Sequence, residues 1–444
     1  MIENTNHAVA AGLIFVIAYA LIASEKIHRT VVALAGAAAV LALRLVEQKV
    51  AFGTGHGGVD WNVIFLLLGM MIIVNITRRT GIFQYLAIKS AKIAGGEPVR
   101  VVVLLSIVTA VLSALLDNVT TVLFMAPVTL LIADGLGIAA VPLLIAQIFA
   151  SNIGGTATLI GDPPNIMVGS AAELGFLSFI IHLTPIAVIS FVAFVPTYVW
   201  LFRKHLKAPP DVREKIAGFD ESRAIQNFGL CRRCIAVLGL TFIGFFAHEA
   251  LHLQPATVAM TGAAVLLLCV RMDINEILHE IEWATLLFFI GLFIMVGALI
   301  ETGIIAEVAG WLIARAEQNP GGTAIALLWI SAGASGVVDN IPFVATVNPM
   351  LVELARGFAG NPEQLTAAHL QATAMMPFWW SLALGACLGG NFTLIGASAN
   401  VVVAGIAERN GHPIGFMQYL KYGIPITFVT IVLSTVYVWL RYLM

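Results

Sequence analysis

Charge is scarce in this sequence. Only 11% of its 444 residues are Asp, Glu, Lys or Arg, less than half the roughly 25% of a soluble domain. With 59% hydrophobic residues and a mean hydropathy of +0.95, there are too few polar side chains to face water on all sides. An ordinary soluble protein is excluded. No cationic excess exists either: the net charge of −2 rules out the basic footprint of a nucleic-acid binder. The four cysteines do not form a disulfide framework, since two lie three residues apart and the others are isolated. Gly-Lys-Ser/Thr is missing, so there is no phosphate-cradling loop or built-in ATPase, and no cofactor is expected. The first seven residues carry Glu3 and no Lys or Arg, so no secretory leader is expected.

What the chain has is apolar length. Runs occur at about residues 8–24, 30–46, 62–77, 99–134, 138–172 and 178–202, then 234–253, 255–270, 284–300, 323–357, 371–407 and 420–440. Crossing a bilayer takes roughly 20 residues. The 99–134 run is far longer, and Asp117-Asn118 sits at its centre. A chain that enters, turns at this polar tip and leaves on the same side fits that length, provided the tip is buried in protein or lines a wet cavity. Residues 154–165, Gly-Gly-Thr-Ala-Thr-Leu-Ile-Gly-Asp-Pro-Pro-Asn, cannot continue a helix, so the run around them reads as a broken span.

The halves repeat. Trp61, Thr80-Gly81, Asp117-Asn118 and Pro127 recur, all at one constant offset, as Trp283, Thr302-Gly303, Asp339-Asn340 and Pro349. At a slightly longer shared offset, Gly154-Gly155, Thr158-Leu159-Ile160-Gly161 and Asn165 recur as Gly389-Gly390, Thr393-Leu394-Ile395-Gly396 and Asn400. Phe176 and Pro185 pair with Phe416 and Pro425. Five crossings and one re-entrant hairpin per half make the second half insert upside-down, as in many secondary transporters. The expected fold is therefore an all-α polytopic membrane protein of two inverted repeats, with about ten transmembrane helices, two re-entrant hairpins and broken helices. The repeats are residues 1–205 and 233–444, joined by a cytoplasmic linker at 206–232. Placing both termini outside the cytoplasm puts eighteen of the 23 Lys and Arg inside, among them Lys26 and Arg29. The cell inner membrane is the expected location.

Asp117 and Asp339 are the sharpest chemical signals. An ionisable side chain deep in a membrane segment is costly and by default marks an ion or proton path. The plainer alternative is a cap on the half-helix that follows each tip. Their symmetric recurrence favours function, with both as proton- or ion-coupling residues. Around them Asn118, Thr121, Asn152, Gly154, Gly155, Thr158, Gly161 and Asn165 in the first half are candidate substrate-binding positions. Asn340, Gly389, Gly390, Asn391, Thr393, Gly396 and Asn400 are the candidates in the second. The asparagines and threonines offer neutral donors and acceptors, and the glycine-rich breaks offer bare backbone; the alternative for each glycine is tight helix packing. Asp162 has no counterpart, because Ala397-Ser398-Ala399 replaces Asp-Pro-Pro in the second break.

Two short motifs compete for attention. His248-Glu249-Ala250-Leu251-His252 matches the H-E-x-x-H zinc pattern, but falls at the end of a span and lacks an evident third ligand, so no metal is assigned. Cys231-Arg232-Arg233-Cys234 could grip a soft thiophile; read as a basic topogenic cluster, its cysteines are incidental.

The runs Leu116-Asp117-Asn118-Val119-Thr120-Thr121, Ala150-Ser151-Asn152-Ile153-Gly154-Gly155 and Gly161-Asp162-Pro163-Pro164-Asn165 resemble the ion-transporter superfamily. Within it the chain is similar to arsenical-pump membrane proteins and P-protein-like carriers. The resemblance covers nearly the whole chain. It implies hairpin tips and broken helices meeting at a central site, and a transport unit moving against a scaffold. Dicarboxylate carriers of the superfamily have serine where Asp117 stands; a carboxylate there would repel an anion unless protonated. The resemblance thus implies export of a small inorganic substrate, arsenite or antimonite, in exchange for protons. Alternatives are a sodium/proton antiporter, an organic-anion carrier or, from another class, an intramembrane protease. Lipid surrounds the chain, and some arsenical pumps work with a cytosolic ATPase subunit, which makes the 203–233 loop its candidate docking site.

Overall fold

A computed structural model describes residues 5–24, 26–53, 57–202, 221–270, 272–359 and 365–444. Most of the expected linker lies outside them. The described residues form helices and connecting turns, with no strand among them. In the first half these are α1 (Thr5–Ser24), α2 (Arg29–Ala42), α3 (Gln48–Ala51), α4 (Trp61–Arg78), α5 (Ile82–Ile93), α6 (Pro98–Leu115), α7 (Asn118–Leu136), α8 (Ala140–Gly155), α9 (Pro163–Ala171), α10 (Phe176–His182) and α11 (Thr184–Phe202). After a 3-10 turn at Glu221–Ala224 come α12 (Phe228–Ala247), α13 (Pro255–Cys269), α14 (Ile274–His279), α15 (Trp283–Glu301), α16 (Ile304–Gln318) and α17 (Pro320–Val338). The chain continues with α18 (Asn340–Ala359), α19 (Ala367–Leu370), α20 (Met376–Gly389), α21 (Ser398–Arg409), α22 (Phe416–Val438) and a π-turn at Trp439–Leu443.

Among the described residues nine helices are long and apolar enough to cross a membrane, or ten if the bent pair α9–α10 is one span. The architecture is that of a polytopic membrane protein. Each long hairpin run divides into two helices, α6/α7 at Asp117 and α17/α18 at Asp339. The arms are 18 to 20 residues long, about 27–30 Å at 1.5 Å per residue, so each has the length of a span. Where the sequence suggests one broken element over 138–172, there are two interruptions. The chain leaves helix at residues 156–162, then bends by 114° between α9 and α10. The second half leaves helix at 390–397, between α20 and α21.

Packing sorts the helices into two bundles. One contains α1, α2, α4, α12, α13 and α15; the other contains both hairpins, both broken elements, α11 and α22. Small residues draw the first bundle together. A Cβ on Gly69 would stand 2.7 Å from the Ala259 carbonyl carbon, and one on Gly291 2.7 Å from that of Ala33. In the second bundle a Cβ on Gly154 would run into the Ala110 carbonyl oxygen, and one on Gly389 would meet Ala332 Cα at 2.5 Å. Apolar surfaces gain little by meeting in lipid, so close backbone approach of this kind is what binds such helices.

Candidate functional site

Hydrogen bonds recur at repeat-related positions. Ser113 Oγ donates to Ser151 O at 2.6 Å, and Ser335 Oγ donates to Ala386 O at 2.6 Å. Thr158 Oγ1 donates to Ala114 O at 2.6 Å, while Thr393 Oγ1 donates to Gly336 O at 2.5 Å. The serines tie the helix before each break, and the threonines the break itself, to the first arm of its own hairpin. The non-helical carbonyls of each break need donors of their own. Asn165 Nδ2 supplies them to Thr158 O at 2.8 Å, Thr156 O at 3.2 Å and Gly155 O at 3.3 Å; Asn400 Nδ2 supplies Gly390 O at 2.7 Å and Thr393 O at 2.9 Å.

The halves then join. Asn118 Nδ2, at the first tip, donates to Asn152 Oδ1 at 3.1 Å. Asn152 Nδ2 donates across to Asn391 Oδ1 at 3.0 Å and Asn400 Oδ1 at 2.9 Å. At the second tip Asn340 Nδ2 donates to Asp162 Oδ1 at 3.3 Å. All these asparagines and Asp162 are buried. Both tip aspartates are within electrostatic range of Asp162. Buried polar groups normally find partners, yet Asn118 Oδ1, Thr121 Oγ1 and Asn391 Nδ2 have no hydrogen-bond partner among the described residues. An amide acceptor, a hydroxyl and an amide donor are therefore unspent, the first and last on asparagines of this network.

The tips themselves differ. Asp117 is extended, φ −142°, and its carboxylate accepts from Thr120 N at 2.7 Å, capping α7. Asp339 has φ +92°, in the region that side-chain-bearing residues avoid. It is ion-paired to Arg29 Nη1 at 2.8 Å and accepts from Ser398 Oγ at 3.3 Å.

The glycines hold backbone close rather than presenting it. Gly154 and Gly389 let α8 and α20 lie against a hairpin arm, and Gly155 with Gly161, like Gly390 with Gly396, let each break fold on itself. Sequence reasoning passes over three residues. Arg29 counts there only as a positive charge at a span end. Asp162 stands out but receives no role. Cys387 occupies the repeat position of Asn152 and looks unremarkable, yet its Sγ lies 3.3 Å from Asn165 Oδ1. The repeat offset is the available signal for Cys387; for Arg29 there is none.

His248 is committed elsewhere. Its Nε2 accepts from Phe176 N at 3.2 Å, and its Nδ1 pairs with Leu253 O at 3.0 Å. The imidazole caps α10, and neither nitrogen is left free to ligate a zinc ion. The protease alternative loses its metal motif. Cys231 and Cys234 are buried within the first bundle.

A cavity of about 870 Å³ opens between the bundles. Residues 57–62 and 248–255 form one wall, α9 and α18 another, and its lining includes Leu159 and Ile166, neighbours of Thr158 and Asn165.

Two bundles in loose contact, paired hairpin tips and a polar centre define a membrane transporter. The chain belongs to the citrate transporter family, CitMHS, whose pattern matches residues 19–385. It is 48% identical over 435 residues to an uncharacterized transporter of Mycobacterium tuberculosis, covering 98% of this chain and 99% of that one. It is 33% identical over 508 residues to the P protein of Homo sapiens, covering 97% of this chain but 59% of that longer protein. The YdaH transporter of Alcanivorax borkumensis has the same fold, with a TM-score of 0.55 at 13% identity, covering 97% and 98% of the two chains.

Proposed function

We propose that the chain is a proton-coupled secondary transporter that exports a small neutral hydroxylated solute, arsenite or antimonite, from the cytoplasm. The observation that carries this reading is the set of unspent buried atoms, Asn118 Oδ1, Thr121 Oγ1 and Asn391 Nδ2, beside three carboxylates. Arsenous acid is uncharged near neutral pH, and its hydroxyls complement such donors and acceptors without the desolvation cost of an ion. Asp117 and Asp339, with Asp162 between them, then bind the driving protons. A proton moving inward supplies roughly 2.3 kcal/mol per 100 mV, enough for about 50-fold accumulation. In this reading the halves are inverted repeats, both termini lie outside the cytoplasm of an inner-membrane protein, and the 206–232 linker is cytoplasmic. The hairpin-bearing bundle moves against the other.

A second reading is an organic-anion carrier. Arg29 beside the second tip, together with the family's description as citrate transporters, favours it. Everted vesicles test both. Proton-driven arsenite uptake, lost in Asp117→Asn or Asp339→Asn, supports the first. Labelled citrate uptake without arsenite uptake transfers the conclusion to the second. Sodium-dependent dequenching with neither solute moving points to a sodium/proton antiporter.

A further inference from the structure

Arg29 is the first residue of α2 and belongs to one bundle; Asp339 and Ser398 belong to the other. Its guanidinium reaches across to both: Nη1 donates to Asp339 Oδ2 at 2.8 Å and to Ser398 Oγ, and Ser398 Oγ donates in turn to Asp339 Oδ2 at 3.3 Å. The cation also lies over the Phe288 ring, 5.1 Å from its centroid, which fixes the guanidinium plane from its own side. Tyr19, on α1, hydrogen-bonds Pro342 O and lies 2.7 Å from Thr346 Oγ1 on the opening turns of α18. The second hairpin tip is thus held to the first bundle by an ion pair and a tyrosine.

The Arg29–Asp339 pair lies outside the cavity lining, and the Tyr19–Thr346 contact borders it, next to Ala345. α2 runs 14 residues, about 20 Å, and the chain that follows it leads to Gly57–Asn62 in the cavity wall. The interface is held at Arg29 and stands open at the cavity.

The repeat makes the asymmetry informative. Ala33 packs on Gly291 as Ala259 packs on Gly69, so α2 and α13 correspond. Carried along the chain, the step from Ala33 to Ala259 matches Arg29 with Pro255 and Tyr19 with Phe245. The first tip therefore has no repeat-related cation or hydroxyl to hold it. Its aspartate is relaxed, whereas Asp339 is kept at φ +92°. Strained backbone persists only where its surroundings enforce it, and Arg29, Ser398 and the Ile341 amide hold this one.

We infer that Arg29 is a positioning residue that acts as a built-in counter-cation for Asp339. It neutralises the carboxylate when no transported cation or proton does, and in doing so clasps the carrier in the state whose cavity is open. A proton on Asp339, or an anion competing for Arg29, releases the clasp and lets the second tip relax. Glu282, at the start of α15, feels the charges of both Asp117 and Arg29, while Asp162 and Tyr19 face Asp339 itself. The inference rests on reading the chain as a carrier with two moving bundles, and not on which solute it carries.

The test needs no substrate. Cys269 is the exposed cysteine; Cys231, Cys234 and Cys387 are buried. In a Cys269→Ser background, Ser170→Cys places a thiol on α9 in the cavity lining. The rate of its labelling by a polar maleimide, in purified protein in detergent, reports how much of the population has the cavity open. Arg29→Gln is expected to slow labelling about tenfold, since a ligand-free equilibrium shifts by the full loss of a charge-assisted pair. Arg29→Lys should stay within about threefold, because it keeps the charge and loses only the fork. Asp339→Asn should match Arg29→Gln, and the double variant should be no slower than either single one. Labelling of Arg29→Gln at the unaltered rate, or effects that multiply in the double variant, would overturn the inference. If Arg29→Gln makes the buried cysteines reactive, the fold has been lost, and the comparison of Arg29→Lys with Asp339→Asn decides on the same criteria. A chain that moves neither arsenite nor citrate would sink the proposed function and leave this result standing.

Discussion

Asn152 Nδ2 lies 2.9 Å from Asn400 Oδ1, although the two residues are 248 positions apart and belong to opposite halves. The repeat supplies the mirror of this contact, with Cys387 in the place of Asn152 and Asn165 in the place of Asn400. The mirror bond is a thiol–amide contact at 3.3 Å, weaker than its counterpart. Each break is thus secured by the helix of the other half, strongly on one side and loosely on the other.

Asn152→Ala should therefore cost far more than Cys387→Ser. The first leaves Asn391 Oδ1 and Asn400 Oδ1 without their donor and Asn118 Nδ2 without its acceptor, at roughly 1–3 kcal/mol per buried group. A loss of about 3 kcal/mol or more is expected, against under about 1 kcal/mol for the cysteine. Thermal unfolding of the purified variants in detergent measures the difference; equal losses would contradict the inequality of the two bonds.

Gly154→Ala and Gly389→Ala should each prevent stable folding. The added Cβ would fall inside contact distance of hairpin backbone that has no room to yield, at Ala110 and Ala332 respectively. Gly310→Ala and Gly333→Ala, also in helices but with open space around the new atom, should be neutral or stabilising by up to about 1 kcal/mol. Monodisperse yield in size-exclusion chromatography separates the pairs.

His248→Ala should destabilise by about 1–2 kcal/mol through loss of the α10 cap, and added zinc should not restore it. Glu249→Gln should leave the melting temperature within about 2 °C. Zinc-dependent recovery of His248→Ala, or stoichiometric zinc in the purified protein, would restore the metal reading of the motif.

Asp60 caps α4 through Asn62 N at 3.1 Å and Val63 N at 3.2 Å, just outside the helix and at the cavity wall. Burial holds its carboxyl above the ordinary carboxylate value, outweighing the hydrogen bonds from Ser170 and from the backbone at Val63 and Asn62. With the folded pKa raised, the stability from the neutral form is fully present below the ordinary value of about 4 and is lost as pH rises through the raised one. Asp60→Asn keeps a capping oxygen and escapes that loss. Its melting temperature relative to the unaltered protein should rise as the pH is taken upward from about 4. A relative melting temperature that falls over this range would mean that the capping bonds outweigh burial.

Much of this molecule is legible before any coordinates. The apolar run lengths fix spans because a bilayer has one thickness, and a polar pair in the middle of a double-length run has to be a turn. Glycine and proline clusters mark the breaks because they cannot extend a helix. The spacing of His248-Glu249 and His252 misleads for a complementary reason: four residues of separation place imidazoles on one helical face, but the chain turns after α12, where His248 meets the α10 backbone instead. A pattern fixes which side chains are neighbours along a helix and says nothing of which foreign backbone arrives.

Sequence alone determined that the protein is helical, membrane-bound and internally repeated, because these follow from local hydropathy and from register within one chain. Tertiary structure alone decided the pairings across halves: Asn152 with Asn400, Asn340 with Asp162, Arg29 with Asp339. Residues 178 to 310 positions apart share no periodicity that could announce their contact. They meet only because close-packed glycines set where each bundle's backbone can go, and buried polar groups then take the partners within reach.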